Sequence, residues 1–122
     1  MTVKELYAKI GGNYDHAVQI MRMDRLIEKY IRKLTASPVN TDLQAAGAQM
    51  DPVGLFENAH AMKGVCGNLG LDALSKAASD LSEEFRPGNP RTLSDEQVKQ
   101  RLAEIDRMFQ AVVDGISSYF NG

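Results

Sequence analysis

The chain has 122 residues, 43% of them hydrophobic and 25% charged, with a net charge of -2: enough for one core and too few for two. No basic patch interleaved with aromatics points to nucleic acid, and no apolar run approaches a membrane span or a signal-peptide core, so a soluble cytoplasmic protein is expected. A single cysteine excludes an internal disulfide, the two distant histidines lack metal-ligand spacing, and no phosphate-binding glycine loop points to nucleotide chemistry.

No segment alternates with period two, whereas several carry apolar residues at spacings of three and four, so the fold class is all-α. Thr2-Val3-Lys4-Glu5 reads as a capping box opening a short helix that runs to about Ile10 and ends at Gly11-Gly12. From Asn13 a second helix is predicted, with apolar positions Ile20, Met23, Ile27, Tyr30, Ile31 and Leu34, closed by Ser37-Pro38. A weaker amphipathic piece follows from about Thr41 to Gln49, around Leu43 and Ala46.

Asp51-Pro52 reads as an N-cap with proline in the first helical position, and the helix it opens ends at Gly70. Leu71, Leu74, Ala78, Leu81 and Phe85 mark one face of the next helix, which stops before the turn Pro87-Gly88-Asn89-Pro90. The two form a helical hairpin over about residues 52–86. Ser94-Asp95-Glu96-Gln97 is a second capping box, opening a final helix with Val98, Leu102, Ile105, Met108, Phe109, Val112 and Ile116 inward. The predicted architecture is an antiparallel four-helix bundle with a short additional N-terminal helix, in one domain spanning residues 1–122.

On a helical wheel of the first hairpin helix, Leu55, Ala59, Met62, Cys66 and Leu69 form the apolar stripe, with Val65 at its edge. Cys66 is therefore a core residue. His60 points the other way, surrounded by Phe56, Glu57, Lys63, Gly64 and Gly67. Glycine costs about 1 kcal/mol relative to alanine within a helix, so Gly64 and Gly67 need a reason. Leaving the imidazole open to approach is one; allowing a neighbouring helix to pack closely, or simply marking the helix end, is the other.

An imidazole, with an ordinary pKa of about 6.5, is a nucleophile near neutral pH and takes a phosphoryl group on nitrogen. Such a site needs an exposed ring, a cation for the phosphoryl oxygens and room for the donor. Lys63, three residues on, supplies the cation on the same surface, and Gly64 supplies room. Phe56, one turn before His60, is either an exposed anchor for a partner or a residue leaning on the core edge. His16 lacks any such setting and reads as structural or surface. Asp80, Glu83 and Glu84 read as solvated charge rather than as a carboxylate pair of a hydrolase.

The run Ala59-His60-Ala61-Met62-Lys63-Gly64, then Gly67-Asn68-Leu69-Gly70-Leu71 and the helix with Leu74, Leu81 and Glu83-Glu84, resembles the histidine-containing phosphotransfer (HPt) domains of bacterial two-component phosphorelays. The stretch from Glu5 to Asp15 is similar to the leader of small stand-alone members. The resemblance implies that His60 accepts a phosphoryl group from a receiver-domain aspartyl phosphate and relays it to another receiver, with Lys63 steadying the phosphoryl oxygens and Gly64 leaving access. It implies a phosphocarrier without kinase activity and without a cofactor of its own, magnesium residing on the partner receiver. Response-regulator receivers or a hybrid sensor kinase are the implied partners of a monomer, met by Phe56, Gly67, Asn68, Ser82 and Glu83.

Many members carry a glutamine or glutamate on the second hairpin helix that orients the ring; here that position is Ser82. Ser82 acting through water, Glu83 in its place, or a less fixed ring are the open alternatives. A docking module that binds a receiver or kinase without transfer is the competing reading of the same face.

Overall fold

A computed structural model describes residues 1–122 as seven helices and no strand: α1 (Val3–Ile10), α2 (Tyr14–Met21), α3 (Asp24–Thr35), α4 (Val39–Ala48), α5 (Pro52–Asn68), α6 (Asp72–Glu84) and α7 (Asp95–Asn121). Both predicted capping boxes form: Thr2 accepts from the Glu5 amide and Ser94 from the Gln97 amide, while Glu5 and Gln97 return the bond. Asp51 caps α5 with Pro52 at its first turn, as expected, although its side chain makes no capping hydrogen bond.

Helices α4, α5, α6 and α7 close a ring, each touching the next and α7 returning to α4, which is the four-helix bundle. Helices α1 and α3 lie against α7, and α2 touches α1, α3 and α5. All seven contribute to one continuous core of 24 buried hydrophobic residues. The inward positions predicted for α7 are buried except Met108, which packs against the core from its edge.

The predicted second helix is two helices. The chain breaks at Arg22, whose φ of 75° lies in the left-handed region, and Met23, which is extended. Tyr14 Oη donates to Asp24 Oδ1 at 2.5 Å. In a straight helix those residues would stand about 15 Å apart along the axis, so the bond requires the fold-back. Ile27, Ile31 and Leu34 face the core, but Ile20, Met23 and Tyr30, predicted on the same apolar face, are exposed. No proline or glycine marks this break, which tertiary contacts impose.

The α5–α6 turn is tightly fixed. Gly70, at φ 70°, ends α5 in a Schellman motif: the Leu71 amide donates to Cys66 O at 2.9 Å and the Gly70 amide to Gly67 O at 3.1 Å. The N-terminal segment is seated on this turn. Tyr7 Oη donates to Leu69 O at 2.7 Å in the interior, and the Asn13 amide donates to Gly70 O at 2.8 Å. Asp72, at the start of α6, accepts from Asn13 Nδ2 at 3.1 Å and pairs with His16 Nδ1 at 2.7 Å. A Cβ on Gly70 would lie 2.5 Å from Asn13 O, so close approach as well as backbone conformation requires glycine there.

Candidate functional site

Helix α5 is anchored by Leu55, Ala59, Met62 and Cys66, all fully buried. Burial pushes the Cys66 thiol up to about 12, which removes thiolate chemistry at neutral pH and leaves the residue as packing. One consequence of this anchoring is that His60 is exposed on the opposite face. Gly64, one turn further on, is also exposed, and a Cβ built there meets nothing within 4 Å. The space beside the imidazole is open.

Gly67 does not belong to that opening. It is half-buried, and a Cβ there would lie 3.2 Å from Ser75 Oγ of α6, so this glycine admits the neighbouring helix, the second of the two roles its position allowed. Ser75 Oγ donates to Lys63 O at 2.9 Å, joining the hairpin at the same level. Lys63 itself is half-buried on the α6 side of His60.

Ser82 is not a partner contact. It is 1% exposed, turned inward beside the Leu74–Ala78–Leu81 stripe, and its Oγ has no hydrogen-bond partner. Because α6 runs antiparallel to α5 and Ser75 stands opposite Lys63 and Gly67, seven residues further on Ser82 comes level with Phe56 and His60. A hydroxyl buried without a partner costs about 1–3 kcal/mol. It does not hold the imidazole.

Phe56 is half-buried and neither a free anchor nor a core residue: its ring stacks on His60, with centroids 5.8 Å apart and planes 24° from parallel. The Arg86 guanidinium lies over the same phenyl ring, 5.2 Å from its centroid. Arg86 Nε donates to both Glu83 carboxylate oxygens at 3.0 Å and Nη2 to one of them at 2.7 Å. The Arg86 hydrogen bond, with the charges of Arg86 and Lys63 adding to it, holds the exposed Glu83 carboxyl below its ordinary value. Sequence pattern does not single out Arg86. Its three-residue spacing from Glu83 was a signal for an ion pair, but nothing in the sequence placed it over Phe56.

Asn68 is exposed at the far end of α5, where it borders a groove of about 510 Å³ with Met21, Tyr30, Leu34 and Val65. It lies two turns from His60. The structure thus gathers His60, Phe56, Lys63, Gly64, Glu83 and Arg86 on one surface, puts Asn68 at its margin, and removes Ser82 and Gly67 to the hairpin interface. His16 stands apart, paired with Asp72.

No cluster of three or more metal-ligating side chains occurs, and no helix is long and apolar enough to cross a membrane. A family model described as Hpt domain matches residues 23–115, which leaves α1 and α2 outside the match. No curated protein and no solved structure shows a significant match.

Proposed function

The chain belongs to the Hpt domain family, and on that premise we propose that His60 is the residue that accepts a phosphoryl group and gives it up again. The family's members act in phosphorelays as phosphocarriers rather than as catalytic enzymes, meeting receiver domains or kinases. Its residues support the finer assignment to this chain.

In the proposed reaction a ring nitrogen of His60 attacks the phosphorus of a receiver's aspartyl phosphate. The nitrogen–phosphorus bond forms as the bond to the aspartate oxygen breaks, and the carboxylate leaves. Transfer onward reverses the step on a second receiver's aspartate. The transferring group spreads negative charge over its outer oxygens, so catalysis here is positioning and electrostatics. Lys63 supplies positive charge on the same surface, Gly64 leaves room for the receiver, and magnesium comes with the receiver. The chain contributes no cofactor. Asn68, at the margin of this surface, and Glu83, on it, are the proposed receiver contacts.

The observation that carries this reading is the exposed imidazole with open space over Gly64, on a helix fixed by four fully buried side chains. The test is incubation with a receiver phosphorylated in the presence of magnesium. The expected product is acid-labile, base-stable phosphate on this chain, lost in His60→Gln. Binding of receivers without any label would favour a docking module instead.

A further inference from the structure

We propose that Phe56 is a positioning residue, which fixes the plane of the His60 ring by stacking, and that Arg86, held by Glu83, clamps Phe56 in place. The inference rests on the reading of His60 as phosphoacceptor. It replaces the two expectations for Phe56, partner anchor or core edge, with a third role.

An exposed histidine turns freely about the bond to its ring, because that torsion is broad. Attack on phosphorus requires one nitrogen to be aimed along the bond being broken, and misalignment is costly in rate. Something must restrict the torsion. Ser82, at the level of His60 on α6, does not: its hydroxyl is buried and hydrogen-bonds to nothing. Nor does Glu83, whose carboxylate is turned to Arg86 by three hydrogen bonds.

The ring contact that exists is the stack, at 5.8 Å and 24° from parallel. A stacked neighbour selects the ring plane while leaving both nitrogens at the edge, free to react or to bond to a partner. Phe56 is itself only half-buried, so its own rotamer needs support. Arg86 supplies that from across the hairpin, 5.2 Å over the phenyl centroid. Glu83 fixes the guanidinium, and Asn89 Nδ2 donating to Glu83 O at 2.9 Å ties this last turn of α6 to the following loop. The ring plane of His60 is thus set through side chains of both hairpin helices.

Phosphoramidate separates positioning from docking, because it delivers phosphate without a protein surface. Its phosphorus–nitrogen bond breaks as the bond to the imidazole nitrogen forms, and ammonia leaves. Phe56→Leu is expected to slow labelling of His60 by phosphoramidate about fivefold to tenfold and labelling by a phosphorylated receiver by a similar factor. Phe56→Tyr should restore both, and Arg86→Gln should slow both by about twofold to threefold. The ring-current shift of the His60 ring protons should vanish in Phe56→Leu and persist in Phe56→Tyr, with the melting temperature as the check on folding.

An unchanged phosphoramidate rate in a folded Phe56→Leu would overturn the proposal, and a loss confined to the receiver reaction would make Phe56 a docking anchor. If no receiver labels His60, the functional reading fails on its own, and the phosphoramidate ratio still decides whether the stack positions the ring.

Discussion

The outer face of α5 and the turn at its end each contain a glycine and face a histidine, yet they are built to opposite ends. At Gly64 an added Cβ meets nothing within 4 Å, and the neighbouring His60 is exposed. At Gly70 the same atom would lie 2.5 Å from Asn13 O and 2.9 Å from Ala17 N, and the histidine above that turn, His16, is paired with Asp72 at 2.7 Å. Glycine at the first position keeps a surface open. At the second it allows the N-terminal segment to close over the turn. The seated end fixes α5 in space, and that fixity lets the other stretch expose a reactive ring without loosening the helix.

The contrast is most exposed to failure in stability. Gly70→Ala should cost about 3 kcal/mol, since it combines left-handed strain with a backbone clash, whereas Gly64→Ala should stabilise by up to about 1 kcal/mol through helix propensity. Chemical denaturation of both variants checks this. Similar losses at the two positions would erase the distinction. Gly64→Gln sharpens it further: receiver-mediated transfer should fall about tenfold, equivalent to about 1.4 kcal/mol of barrier, with the melting temperature maintained. Parallel loss of transfer and melting temperature would make Gly64 structural.

A smaller effect is expected where the N-terminal segment grips the turn. Tyr7→Phe removes the buried donor to Leu69 O and should cost about 1–2 kcal/mol of stability, with transfer through His60 unchanged. The smallest effect concerns pH. Glu5, Glu83 and Glu84 all have carboxyls held below the ordinary 4.5, the first chiefly by the Thr2 amide, the second by Arg86, and the third by the Leu93 and Thr92 amides against opposing burial. A carboxyl depressed in the folded state contributes stability above its unfolded value and loses that contribution as pH falls through the folded one. The melting temperature should therefore be insensitive to these groups near neutral pH and decline modestly below about 4.5, because all three are solvent-screened.

How much of this was legible in the sequence depended on whether the determining contacts were local. The capping residues Thr2, Ser94 and Asp51, the Gly70 stop and the apolar stripe of α5 act within a few residues of themselves, and they gave helix starts, ends and faces. The exposure of His60 followed from that stripe. The break at Arg22–Met23 did not, because it comes with the packing of α2 on α1, α3 and α5 rather than from a breaker residue. Gly67 and Gly64 are equivalent in the sequence pattern and differ only in whether α6 passes over them. Ser82 occupied the expected position, but its burial depends on how α6 rolls against α5. The Arg86–Phe56–His60 stack joins α5 to the residue just past the end of α6 and carries no local signature.

The most direct measurement is the location of the phosphate among the chain's two histidines. After incubation with a phosphorylated receiver, tandem mass spectrometry under conditions that preserve phosphohistidine should place the modification on the peptide containing His60 and none on the peptide containing His16. Phosphate on His16, or on any other residue of a chain that remains folded, would contradict the account.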